Sequence, residues 1–400
     1  MRLVGTVQAG ADRGRCRRLP GHPGARRHGR RNGRITEKNG SSALHHARYG
    51  FPRRGHERGA GQGAGTPGIT EASIGAAVRS SMDVVSLGHL PSGAEVWIAR
   101  DALEADHLVL INRVKLHTAF RSQVESGLCK MLTVGCGKRQ GALNMHKFGL
   151  ADSIIPAARV ILSRVSVLFG IAVLENASEK THTVRLVLPE DMVASDMAML
   201  KQAIEMFPRV PIDDLDILVM DEMGKNISGA GMDPNVIGMW RRDGGPRHPD
   251  YRTLVLLNLT PESHGNAMGI GLTDLTTRRV IDLVDIKATY TNALTTGLWG
   301  TGKLPIALDN DRVALEMALS RVQEPEKVRM VRITNTLYLE TFWASAALLP
   351  ELKLREGIEV DEMPLMFEFT SEERLLPFPY SDHKPCESPA NAGKQPIDPK

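Results

Sequence analysis

Cysteine is scarce in this chain. Only Cys16, Cys129, Cys136 and Cys386 occur in 400 residues, and no two form a CxxC pair. That excludes a disulfide framework and makes a reducing cytoplasm the default compartment. Aromatic residues contribute 4%, while methionine is plentiful at 17 residues. No apolar run reaches the ~18–20 residues of a membrane span, so no membrane partner is expected. The opening residues carry no signal-peptide pattern. A P-loop of the form GxxxxGK[ST] is missing as well. Acidic residues are almost absent from the first part of the chain. Residues 1–67 hold 15 Lys+Arg against 3 Asp+Glu, so the remainder of a chain of net charge +4 carries about −8. The bulk pI of 8.9 therefore describes the head alone.

That head is crowded with Arg, Gly, Pro and His, as at Arg13, Arg15, Arg17, Arg18, Arg26, Arg27, Arg30 and Arg31. It lacks the aliphatic periodicity from which a buried face is built. Two readings compete. One is an Arg/Gly-rich arm for nucleic acid. The other is a GC-rich gene read out of frame. Codons exist for Tyr49 to Gly68 which, read one nucleotide later, give MGSHGGATSAGQAKVLAPLG. In the same frame, Arg15 to His22 can encode VAVGSRGI. The first of these strings has the helix-like, Ala-rich, patterned character that the standing sequence lacks. A nucleic-acid partner is not expected. Such an arm needs interleaved aromatics, and the head offers little beyond Tyr49 and Phe51.

Beyond residue 68 the chain alternates strand-like and helix-like stretches. LVLIN (108–112), LFGIAVLEN (168–176), LDILVM (215–220) and RTLVLLNLT (252–260) read as strands. Residues 154–168, 195–206, 276–287 and 309–320 read as helices. The pattern predicts an α/β protein of two α/β domains with mostly parallel sheets, the N-terminal domain incomplete. The expected divisions are 1–67, a disordered or frameshifted head; 68–207, a catalytic domain; 208–371, a second α/β domain opened by PRVPIDDL; and 372–400, a disordered Pro/Ser/Lys-rich tail.

Polar residues follow the strands at once, where open α/β sheets place their sites. After LVLIN come Lys115, His117, Arg121, Glu125, Lys130 and His146. His117 is placed for proton transfer near neutral pH. Lys130, in the apolar stretch GLCKML, would be partly desolvated and so suits a covalent nucleophile or a cofactor anchor. His146 is a candidate metal ligand. The plain alternative is a set of solvated or structurally paired side chains. After LDILVM, the stretch DEMGKNISGAGMDPN offers Asp221, Glu222, Lys225 and Asn226 for a polar ligand or metal. Its plain alternative is a hydrogen-bonded turn. A third stretch, SHGNAMGIGLTD (263–274), is a weak glycine fingerprint in which Asp274 would cap the next helix.

Several of these strings occur together in one family. NRVKLHTAF, ESGLCKM, GCGKRQGA and HKFG, with DEMGKNISGAGMDPNVIG further on, resemble an uncharacterised branch of the lactate-racemase-domain family. The resemblance runs over residues 68–345. Characterised racemases of that family use nickel in a nicotinate-derived pincer nucleotide. By that pattern Lys130 resembles the cofactor-anchoring lysine and His146 the nickel-ligating histidine, with the spacing of sixteen residues kept. His117 resembles the second proton-shuttle histidine. Two departures are visible: GLCK stands where the racemases have GGRK, and His117 lies further ahead of Lys130 than in them.

The resemblance implies a racemase or epimerase, or a related lyase, acting on a 2-hydroxy acid or sugar acid. Lys115, His117, Asp221, Lys225 and Asn226 are the expected catalytic set. Lys130 and His146 would bind the nickel pincer nucleotide, and cofactor-synthesis proteins would be partners. The family also has strands like VAVGSRGI and MGSHGGAT, bearing an anion-binding arginine and the first shuttle histidine. As it stands the chain has neither, so a catalytically impaired fragment is the second expectation.

Overall fold

The computed structural model describes residues 2–9, 71–78, 81–177, 179–361 and 364–377. They form two compact units that part between Phe207 and Pro208. Residues Arg2–Ala9 form strand β1 and belong with the C-terminal unit. This corrects the expectation of an irregular head over those eight residues. The rest of the head, 10–70, lies outside the described residues, as does the tail beyond 377.

In the N-terminal unit, β2 (Val84–His89) and β3 (Glu95–Ala99) make an antiparallel hairpin. Its turn closes at Gly93, whose φ of 86° favours glycine. Strand β4 (Leu108–Arg113) then runs parallel to β5 (Val167–Glu175). The crossover between them carries helices Lys138–Phe148 and Leu150–Leu162. Strand β6 (Thr181–Val187), whose THTVRLV alternation was not foreseen, pairs antiparallel with β5. One face of this sheet carries the core. Leu110, Ala172 and Leu174 pack there with Leu128, Ile154 and Met199. Each such large aliphatic side chain contributes roughly 1.5–3 kcal/mol on burial.

The C-terminal unit holds β7 (Leu215–Met220), β8 (Tyr251–Leu256), β9 (Leu275–Thr277), β10 (Ile306–Leu308) and β11 (Met330–Ile333). Strands β12 (Thr341–Ser345), β13 (Ile358–Val360) and β14 (Pro364–Met366) follow. The sheet order is β10-β9-β8-β7-β11-β12-β1-β13, with β14 also on β1. All four pairings from β10 to β11 are parallel, and those beyond β11 are antiparallel. The protein is thus α/β with parallel strands at the heart of its sheets. The chain moves outward from β7 to β10 and returns on the other side of β7 as β11. The β7/β11 junction is therefore the topological switch point, where open α/β sheets bind ligands.

The stretch 276–287, expected as one helix, is divided. Thr277 ends β9 and its side chain accepts from Val280 N–H to start the short helix Arg278–Asp282. Asp285 then accepts from Ala288 N–H and starts a new helix, Ile286–Thr296. The expected tail also begins later. Phe369 bridges Leu375, and Leu375 N–H donates to Asp311 at 2.9 Å. No helix among the described residues is long and apolar enough to cross a membrane.

Candidate active site

Strand β4 delivers the first constellation. Lys115 pairs with Ser126 in an isolated antiparallel bridge, with N–H···O bonds of 3.1 and 3.2 Å. The loop between them winds round one carboxylate. Glu125 is 2% exposed and accepts from the N–H groups of His117 (2.6 Å) and Ser122 (3.4 Å) and from Arg121 (3.4 Å). Arg121 also donates to His117 O at 2.9 Å. Charge-assisted bonds thus hold the backbone on both sides of His117. Burial still raises the Glu125 carboxyl above its usual range, against those donors. At the His117 ring, Ala119 N–H donates to Nδ1 at 3.0 Å, and Phe120 packs with centroids 4.6 Å apart. A neutral ring that accepts at Nδ1 carries its proton on Nε2.

Lys130 sits on a turn held from another helix. Asp196, 1% exposed on helix Met192–Glu205, accepts from Leu128 N–H (3.1 Å) and Cys129 N–H (2.7 Å). It satisfies two of the donors that a helix start leaves open. Leu128 seats over Gly170 of β5, where a Cβ would lie 2.5 Å from the leucine side chain. A π-turn, Met131–Gly135, follows directly after Lys130. Such turns are frequent at functional sites.

The electrostatics join Lys130 to its neighbours. Burial, and then the charge of Lys115, lower the Lys130 amine to about 8. Burial, and then the charge of Lys130, lower His146 below its ordinary value. His146 lies in the last turn of helix Lys138–Phe148, where the helix dipole favours a cation. Burial and Lys130 outweigh that preference. Lys130 is thus within electrostatic reach of both Lys115 and His146, and His117 follows Lys115 by two residues in the chain. No three His, Cys, Asp or Glu side chains among the described residues are grouped to hold a metal ion.

The second constellation lies in the C-terminal unit at the switch point. Asp221 is engaged through both oxygens by Arg332, at 2.6 and 3.0 Å. The two form a bidentate ion pair. Glu222 accepts from Asn335 Nδ2 at 3.0 Å, and burial raises its carboxyl. Lys225 donates to Gly229 O (2.8 Å) and Asn292 Oδ1 (2.9 Å), and burial lowers its amine to about 8. Asn226 Oδ1 accepts from Thr260. The glycines serve close packing of two loops: a Cβ on Gly269 would lie 2.1 Å from Ala230 O, and one on Gly231 2.3 Å from Met268 O. In the stretch 263–274, Gly269 therefore has a packing role. Asp274 does not cap a helix. It accepts from Arg241 at 2.7 and 2.6 Å and from Leu254 N–H at 2.7 Å.

Sequence reasoning missed Asp196. Its signal was an acid at the helical spacing of Met192, Met199 and Ala203, on the buried face. Gly127 completes that contact. Its extended backbone suits any residue, yet a Cβ there would stand 2.7 Å from the Asp196 carboxylate. Gly127→Ala is expected to displace the carboxylate and cost about 2–4 kcal/mol. Urea denaturation checks this; a cost below about 0.5 kcal/mol, the level of an indifferent surface change, would mean that Asp196 does not fix the turn.

Residues 54–201 match the family model described as a domain of unknown function, DUF362. The match begins inside the Arg/Gly-rich head. No curated protein matches the chain. Among solved structures, the chain is similar to the lactate racemase apoprotein of Thermoanaerobacterium thermosaccharolyticum. The two share 14% identity over 65% of this chain and 69% of that one, with a TM-score of 0.41. A protein of Thermotoga maritima is similar at 13% identity over 58% and 66%, with a TM-score of 0.38. Likeness at this level carries no information on substrate or chemistry.

Proposed function

We propose that the chain belongs to the enzymes that racemise or epimerise a 2-hydroxy acid or sugar acid with a nickel pincer nucleotide. One observation carries the reading: a half-buried lysine, lowered to about 8, lies close enough for its charge to act on a histidine sixteen residues later that is itself lowered. Those are the two residues that the sequence resemblance assigns to the cofactor. The residues fit the group. A neutral Lys130 amine is a nucleophile able to form a covalent anchor, and a neutral His146 has a lone pair for a metal. When bound, the cofactor supplies a reversible hydride acceptor, so breaking a C–H bond beside a carboxylate needs no carbanion.

The other work falls to the chain. His117, with its backbone pinned by Glu125, is the group that exchanges a proton with the substrate hydroxyl. With Nδ1 accepting from Ala119, its neutral form offers the Nε2 proton. Lys115 supplies positive charge beside Lys130 toward the carboxylate of a hydroxy acid.

The test is co-expression with the cofactor-synthesis proteins. The protein mass, the nickel content and the interconversion of a panel of 2-hydroxy acids are then measured. A covalent adduct and bound nickel are expected, both lost in Lys130→Ala, with nickel alone lost in His146→Ala. His117→Ala should keep both and lose roughly 10²–10⁴ in rate. A chain without adduct or nickel would remove the proposal.

A further inference from the structure

The C-terminal unit leaves an apolar ridge in water. Helix Ile286–Thr296 turns Thr289 and Ala293 into the core. Ile286, Tyr290 and Leu294 follow one another at i, i+4 along its exposed flank. The turn after the helix presses against it, for a Cβ on Gly302 would lie 3.0 Å from the Ala293 side chain. That approach sets Trp299 beside the ridge, and Tyr290, Ala293, Leu294, Trp299, Gly302 and Lys303 line one cleft. Leu294 is 66% exposed and Trp299 70%. The chain then leads through exposed Leu304 to Ile306, 67% exposed, on β10, the outermost strand of its sheet among the described residues. Charge is divided along the ridge. Its end at Ile286 carries exposed Asp282 and Asp285 against Lys287, and its end at Leu294 carries exposed Lys303.

We infer that this ridge is the surface through which the chain pairs with a second copy of itself, the two helices crossing antiparallel at Tyr290. Three observations select that occupant. The first is area. Ile286, Tyr290, Leu294, Trp299, Leu304 and Ile306 together expose on the order of 700 Å² of side chain, above the roughly 300–600 Å² of a monomer's largest patch and near the about 800 Å² that each partner of a stable complex covers. The second is shape. A ridge of i, i+4 side chains packs into the groove beside an identical ridge, the commonest class of helix crossing. About a two-fold axis at Tyr290, Ile286 of one copy meets Leu294 of the other and enters the cleft beside its Trp299. The third is charge. The same axis brings Lys303 of each copy to Asp282 and Asp285 of the other, whereas a parallel pairing would set lysine against lysine and acid against acid. Exposed tryptophan and tyrosine at the centre suit the anchors of such a contact.

Sedimentation of the full chain tests the pairing, and a concentration-dependent dimer is expected. Leu294→Asp should weaken it roughly 30-fold or more, the loss of a central interface residue. It should leave the melting temperature of dilute protein unchanged, because Leu294 already stands largely in water. Lys303→Glu should weaken the dimer roughly tenfold, and Lys303→Glu combined with Asp282→Lys should restore it. Disulfide formation between copies reads the register, in a chain carrying Cys16→Ser and Cys386→Ser, since Cys129 and Cys136 are buried. Tyr290→Cys lies at the crossing and should link to its mate, within the reach of a disulfide. Leu294→Cys should not, because its mate lies about 12 Å away along the paired helices. A chain that stays monomeric at every concentration would overturn the inference. So would a dimer indifferent to Leu294→Asp, or one that links through Leu294→Cys and not through Tyr290→Cys.

Discussion

Replacing Asp221 with alanine is expected to destabilise the C-terminal unit by about 3–5 kcal/mol, the usual cost of breaking a buried ion pair from one side. Arg332 is 3% exposed and sits on β11, so its charge has no route to water once the carboxylate is gone. Leu376 O, a neutral oxygen, also accepts from it at 2.9 Å. Asp221→Asn keeps one acceptor and the shape and should lose less. The midpoint of urea unfolding separates the variants. The result also decides between two roles. A structural partner loses activity only in step with folding. A proton carrier would leave Asp221→Asn stable, inactive and altered in its pH profile, and that pattern would return Asp221 to the catalytic set.

Lys130→Met is expected to act in opposite directions on chemistry and stability. It removes the only amine proposed to anchor the cofactor, so the covalent adduct should disappear. It also removes a buried ammonium. Because the folded-state value falls from 10.5 to about 8, the unfolded chain binds more protons between those two values. The stability of the parent therefore rises with pH across that window and carries its full penalty below it. The methionine variant should be more stable than the parent at pH 7, by on the order of 2 kcal/mol, and the gap should close as pH approaches 10.5. Thermal or urea unfolding at pH 7 and pH 10 measures it. Adduct formation on the parent should quicken about tenfold per pH unit up to about pH 8 and then level, as the free amine becomes the main form. A variant less stable than the parent at pH 7 would mean that Lys130 is satisfied in the fold and is not held in reserve for chemistry.

Much of the architecture was legible in order along the chain. LVLIN, LFGIAVLE and LDILVM are apolar runs of strand length, and each is a strand because a short β-branched run has few other places to bury both faces. The helix at 311–319 was also legible, expected over 309–320, and the structure adds its Asn310 cap. Shorter or edge strands were not legible. β9 and β10 have three residues each, and β1, β12, β13 and β14 are recruited by one another. Their strand character comes from hydrogen bonds to distant segments, which no local pattern records.

For the site, the chain itself determined which chemical groups stand near strand ends: His117, Lys130 and His146 after one strand, Lys225 and Asn226 after another. Only the tertiary structure decided what each can do. Lys130 has a lowered amine because the fold buries it and sets the charge of Lys115, fifteen residues away, beside it. Asp221 is occupied because β11 brings Arg332 beside β7 from over a hundred residues away. Sequence fixes residue identity and local periodicity; burial, charge and pairing are properties of neighbours, and the neighbours that matter here are far along the chain.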